Sequence, residues 1–120
     1  MRTLPGTLPR RTYKQVKWQD EYGTSTMRVP AAIEDAEVIS SEIGDGIHAP
    51  VLDIDYKAML VPSTTSGHYH LYLDTAMSWR QYKKLLKTLA AVGVIEKGYA
   101  KACIKRKHSA VRAPWVKKNG

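Results

Sequence analysis

From Trp79 to Val92 the apolar residues recur every third or fourth position, at Trp79, Tyr82, Leu85, Leu86, Leu89 and Val92. At about 100° per residue they gather on one side of a helix, while Arg80, Lys83, Lys84 and Lys87 gather on the other. Ser78 and Gln81 stand where a capping box needs its N-cap and its third helical residue. Gly93 stands where a left-handed terminator belongs. One main amphipathic helix is therefore expected over 79–92, its apolar stripe facing a core with Trp79 largely buried.

The remaining pattern has a period nearer two. Residues 11–19 alternate imperfectly, with Tyr13, Val16 and Trp18 set among Lys14 and Lys17, and predict a strand. Residues 33–43 fit either a strand or a short helix and carry an acidic patch of Glu34, Asp35, Glu37 and Glu42. After a Gly44-Asp45-Gly46 turn, strands are expected over 48–55, 58–62 and 67–74, the last two joined by the 63–66 loop. A closing hairpin over 99–107 and 111–116 is expected around His108-Ser109. Strands, then a helix, then strands give an α+β fold, an antiparallel sheet with the helix packed on one face. Residues 1–10, with Pro5, Gly6, Pro9, Arg2 and Arg10, read as a flexible basic arm ahead of a single domain over 11–120.

Charge changes this picture from a fold to a surface. Residues 1–60 hold seven Lys/Arg against nine Asp/Glu, whereas residues 61–120 hold twelve against two. The whole net charge of +8 thus belongs to the C-terminal half. Such asymmetry in a small chain points to a polyanionic partner, most often DNA or RNA, and competes with an ordinary solubilising surface. The basic side of the helix has no acidic partner at i±4, so its cations repel one another mildly, which favours a phosphate-tracking role. No apolar run approaches the roughly 18 residues of a membrane span, and no apolar leader opens the chain, so a cytoplasmic protein without a membrane partner is expected. The single cysteine, Cys103, excludes an internal disulfide and reads as a buried strand residue.

Candidate chemistry lies in residues 51–74. On a strand, Asp53 and Asp55 share a face. Two carboxylates there, with only Lys57 nearby to neutralise them, suit a bound cation, a substrate or simply water. His68 and His70 follow a small-residue turn at Gly67 and alternate with Tyr69, Leu71 and Leu73. As a zinc pair the histidines lack a third ligand; as ordinary strand residues they would bond to the Thr64/Thr65 loop.

Asp53-x-Asp55 after an apolar strand, then Ser66-Gly67-His68-x-His70 leading into Leu71-Tyr72-Leu73, resembles the core motifs of the archaeo-eukaryotic primase and primase-polymerase superfamily over residues 48–75. That resemblance implies an RRM-like sheet, Asp53 and Asp55 as ligands of Mg²⁺ or Mn²⁺, and His70 as the histidine that contacts nucleotide phosphates. The whole pattern, closing in Val111-Arg112-Ala113-Pro114-Trp115-Val116-Lys117-Lys118, is also similar to small proteins of actinobacterial phages.

Two classes of function compete, with a third beside them. A nucleic-acid-binding module would neutralise phosphates with Arg80, Lys83, Lys84, Lys87, Lys101, Lys105, Arg106, Lys107 and Arg112, and stack bases on Trp115, Tyr99 or Tyr69. A metal-dependent phosphoryl-transfer or phosphodiester-cleaving enzyme would use Asp53 and Asp55 for the metal and His70 to orient phosphate or as general acid–base. A phage protein that binds a host protein is the third. Binding needs only what is plainly present, whereas metal catalysis usually asks for more than two carboxylates, so binding is the leading expectation. For Trp115 a second role, capping one end of the core, competes with stacking.

Overall fold

The computed structural model describes residues 1–117, including their side chains apart from those of Trp18, Asp20 and Ser25. The chain divides into two compact units, Met1–Asp53 and Ile54–Gly120.

The first unit is built on a long hairpin of β1 (Thr12–Asp20) and β2 (Gly23–Pro30), antiparallel and in continuous register from Tyr13↔Pro30 to Asp20↔Gly23. The short strand β3 (Val38–Ile39) pairs with the other edge of β1, giving the order β2-β1-β3. β4 (Glu42–Gly44) and β5 (Ile47–His48) form a separate tight hairpin, turned at Gly46 with φ 70°. Polar side chains bind these pieces together. The Arg11 guanidinium contacts Asp45 at 2.8 Å and Glu42 at 3.4 Å, and the Tyr13 hydroxyl donates to Glu42 at 2.8 Å. Arg10 donates to the carbonyls of Ala49 and Pro50, and Arg2 reaches that of Ala36, so the N-terminal residues carry contacts of their own.

The second unit opens with a five-residue hairpin, β6 (Ala58–Pro62) against β7 (Tyr69–Leu73), followed by two helices, α1 (Trp79–Ala91) and α2 (Lys97–Arg106). α1 begins as the capping box dictates: Ser78 Oγ accepts the Gln81 N–H at 3.2 Å and Gln81 Oε1 accepts the Ser78 N–H at 3.0 Å. Among the described residues of this unit, Leu86 of α1 and Ala100 and Cys103 of α2 are buried. Among the described residues no helix is long and apolar enough to cross a membrane.

The α+β class and the antiparallel pairing are as the sequence predicts, but four details differ. Among the described residues the strands form three separate small sheets, of three, two and two strands, instead of one. Proline explains much of this, because Pro30 and Pro62 end their strands and Pro50 follows β5, each without an N–H for a further rung. The strand expected over 48–55 ends at His48 for the same reason; the Ala49 N–H still reaches the Ser41 carbonyl at 2.8 Å, but residues 49–54 belong to no strand. Residues 99–107 are mostly helix, not strand: Ala100, Cys103 and Ile104 are spaced i, i+3, i+4, among the strong helix formers Lys97, Lys101, Lys105 and Arg106. Residues 111–116 form no strand; Pro114 and Trp115 occupy a turn closed by the Val116 N–H on the Ala113 carbonyl at 3.0 Å. Cys103 is buried as expected, but on a helix.

Candidate nucleic-acid interface

The helices set the geometry of the basic surface. On α1, Arg80, Lys84 and Lys87 are exposed, and Lys83 is half-buried at the border with the apolar stripe. The apolar stripe lies opposite, with Leu86 buried and Trp79, Tyr82, Leu85 and Leu89 half-buried. Trp79 therefore covers the core without being enclosed by it, its ring edge-on to Tyr82 at 6.1 Å between centroids. α2 repeats the division. Ala100 and Cys103 turn inward, while Lys97, Lys101 and Lys105, each four residues apart, and Arg106 are exposed. Lys105 and Arg106 sit in the last turn of α2, where cations also interact favourably with the helix dipole.

The surface continues beyond α2. Lys107 and Arg112 are exposed, as is Lys117, and Trp115 is 83% exposed between the last two. Lys118, expected to flank Trp115, lies outside the described residues. The Tyr99 hydroxyl donates to the Ala110 carbonyl at 3.3 Å. Burial, reinforced by Cys103, raises the pKa of this phenol, so it stays a neutral donor.

Electrostatically the two units are opposites. Residues 54–120 hold thirteen Lys/Arg and three Asp/Glu, against six and eight in residues 1–53. Among the described residues the ion pairs are those of Arg11 with Glu42 and Asp45, both in the first unit. No described cation of the second unit has a carboxylate partner, so each remains available to an anion from solution.

A groove of about 510 Å³ lies beside this surface, floored by Leu71, Leu73, Met77, Trp79 and Leu85 and bounded by Lys107 and Ser109. Its wall is tied by a hydrogen bond between the Tyr82 and Ser109 hydroxyls, which joins α1 to the segment after α2.

The acidic and histidine residues are arranged differently from the expectation. Asp53 and Asp55 are exposed on unpaired backbone, so strand alternation no longer places them on a common face; Asp53 ends the first unit and Asp55 belongs to the second. His70 is half-buried in β7 opposite Val61. His68 is exposed, and only its backbone engages the loop, its N–H donating to Thr65 at 3.1 Å and its carbonyl accepting from Ser63 at 2.9 Å. Among the described residues no group of three or more His, Cys, Asp or Glu is placed to hold a metal ion.

Lys97 joins the basic residues that the sequence singles out. Its i, i+4, i+8 relation to Lys101 and Lys105 has meaning only when 97–106 is read as a helix. Set against protein-family models, curated proteins and solved structures, the chain matches none of them.

Proposed function

We propose that this protein binds nucleic acid through the exposed faces of α1 and α2 and the segment 107–117. The observation that carries this reading is that both helices expose a row of cations without carboxylate partners, Arg80, Lys84 and Lys87 on α1 and Lys97, Lys101, Lys105 and Arg106 on α2, while Leu86, Ala100 and Cys103 lie buried on their other sides. A solubilising surface needs charge of either sign; one that is cationic on two consecutive helices suits a row of phosphates. Gly98 and Ala102 lie among the α2 cations, so little bulk separates the helix from a backbone laid against it. Trp115 and the ring of Tyr99 add faces on which bases can stack.

Fluorescence anisotropy with labelled duplex DNA, single-stranded DNA and single-stranded RNA tests the proposal. Binding should weaken in proportion as log affinity against log salt, with a slope that reports the phosphates neutralised. Combining Lys84→Glu, Lys87→Glu and Lys101→Glu should reduce affinity more than tenfold. Reversing Lys14 and Lys17 of β1 should leave it close to the parent. Absence of binding to all three probes at low salt, or equal loss from the two sets of substitutions, would refute the assignment.

A further inference from the structure

The groove of the second unit is mixed in character. β7 contributes Leu71 and Leu73, both exposed, and α1 contributes Trp79 with the Tyr82 ring edge-on to it. Beside these stand Thr75, Lys107, His108 and Ser109. The Thr75 hydroxyl, the Trp79 indole N–H and the Lys107 ammonium bond to no protein group among the described residues. Nδ1 of His108 lies 3.1 Å from the Arg106 carbonyl, which can only accept, so Nδ1 carries the proton and Nε2 accepts when the ring is neutral. Donors and an acceptor thus share the lining with apolar and aromatic surface. Among the described residues that line the groove there is no Asp or Glu.

These features select among occupants. A fatty acid chain would leave most of the donors and the acceptor without partners, which disfavours it. A partner helix is about 10–12 Å across with a 5.4 Å pitch, so roughly one turn of it would fill about 510 Å³, too little to anchor it. A single ring system with polar edges suits that volume, which lies within the range of about 300–1,000 Å³ usual for small-ligand sites. Charge narrows the class further. Lys107 on the rim continues Lys105 and Arg106 of α2, exposed cations with no carboxylate partner among the described residues, in a unit of net charge +10. One carboxylate would answer one of them. A chain of phosphates answers several at once and brings a base with each phosphate.

From these observations we infer that the groove is a pocket for one unstacked nucleobase of a single strand, with the adjoining phosphates on Lys107 and the last turn of α2. The inference rests on the nucleic-acid reading above and sharpens it, because a base in a duplex reaches such a pocket only after it is unstacked and unpaired. The base packs on Leu71, Leu73 and the Trp79–Tyr82 pair, and its polar edge meets Lys107 and His108. The bond between the Tyr82 and Ser109 hydroxyls ties α1 to the segment after α2, so two sides of the pocket are fixed before the strand arrives.

Two measurements test it. In the first, an oligothymidylate carrying one 4-thiothymidine is bound at low salt, irradiated and digested with trypsin. The cross-link should fall in the peptide spanning 58–80, which carries Leu71, Leu73, Met77 and Trp79. Cross-links confined to other peptides, such as 113–117 with Trp115, would overturn the inference. In the second, Ala76→Phe fills the groove from an exposed lining position between β7 and α1, and circular dichroism should show the helices unchanged. Affinity for oligothymidylate should fall about tenfold, the loss of one base contact. Affinity for duplex DNA, and the slope of log affinity against log salt, should stay as in the parent, because no phosphate contact is removed. Equal loss on both probes, or no loss on the single strand, would overturn the inference. A parent protein that binds duplex as tightly as single strand at the same salt would overturn it while leaving the nucleic-acid reading in place. A parent that binds neither would refute that reading and the inference with it.

Discussion

Lys107 closes α2 in the same left-handed conformation that Gly93 takes after α1, with φ of 62° and 81° respectively. The two helix ends are built alike. After α1, the Gly93 N–H reaches the Ala90 carbonyl at 3.2 Å and the Val94 N–H that of Leu89 at 2.9 Å. After α2, the Lys107 N–H reaches Ile104 at 3.3 Å and the His108 N–H reaches Cys103 at 3.2 Å. Both are Schellman closures, in which glycine is the usual left-handed residue because it has no Cβ to clash. Lysine at the second site carries steric strain at the rim of the groove and on the proposed interface. Backbone strain of this kind concentrates where a side chain is needed for function.

Lys107→Gly should therefore separate stability from binding. Relief of the left-handed strain, less the extra backbone entropy that glycine loses on folding, should stabilise the protein by about 0.5–1 kcal/mol in urea denaturation. The same substitution should weaken oligonucleotide binding and lower its salt slope by about one phosphate equivalent. A variant that is both less stable and equally tight in binding would show that Lys107 is held by contacts of its own.

Removing the cap of α1 tests how far the helix depends on local signals. Ser78→Ala leaves the Gln81 N–H without its side-chain acceptor, and a cap of this type is worth about 1 kcal/mol. Thermal unfolding followed at 222 nm should show that loss, and Ser78→Asp should restore most of it, because a carboxylate also accepts from the first turn. Equal stability of the Ser78→Ala and parent proteins would mean that α1 is held by the Leu86 side alone.

What the sequence discloses follows from how strongly each element is patterned. α1 carries three independent signals that agree: the Trp79–Val92 stripe, the Ser78/Gln81 cap and the Gly93 stop. The β6–β7 hairpin is legible because Leu60, Leu71 and Leu73 alternate on either side of a loop containing Gly67. α2 is hidden because only Ala100 and Cys103 mark its buried side, while Tyr99, Cys103 and Ile104 also suit a strand. β2 is absent from the elements read in the sequence because Thr24, Thr26, Met27 and Arg28 give no clean apolar alternation. The cations of α1 are legible as a stripe from spacing alone, whereas the Lys97-Lys101-Lys105 row emerges only with the helix. The expected grouping of Asp53 and Asp55 assumed a strand, and Pro50 with two β-poor aspartates does not sustain one.

In the first unit, the Arg11–Glu42–Asp45–Tyr13 cluster should give stability a two-sided pH dependence. Bonds from Tyr13 and Ser40, with Arg11 nearby, hold Glu42 below the ordinary carboxylate range, and Arg11 does the same for Asp45. A carboxylate depressed in the folded state contributes stability that is present above its unfolded pKa, about 4, and is lost as pH falls through the folded value. Tyr13 is shifted upward by its bond to Glu42, so its contribution is present below about pH 10 and is lost as pH rises through the folded value. Melting temperature measured across pH should thus fall at both extremes. Glu42→Gln should flatten the acid limb, and Tyr13→Phe should flatten the alkaline one. Arg11 and Asp45 are exposed and Tyr13 and Glu42 only half-buried, so the slopes should be shallow and should shrink further in high salt. Unchanged limbs in both variants would place the titrating groups elsewhere.

Trp115 offers the most direct test of contact with bases. At 83% exposure in the 113–116 turn, it has no enclosure to lose when a ligand arrives, and the reading of Trp115 as a cap on the core is set aside. In a Trp18→Phe, Trp79→Phe background the emission of Trp115 should match that of tryptophan in water. Addition of single-stranded oligonucleotide should quench it as bases stack on the indole, and the quenching should vanish at high salt together with the phosphate contacts that hold the strand nearby. Trp115→Ala should then cost about 1–3 kcal/mol in affinity, the usual worth of one aromatic–base stack, with no effect on melting temperature. Quenching that persists at high salt would point to apolar capture of bases without phosphate anchoring. Binding with no change in emission would restrict the interface to the helices.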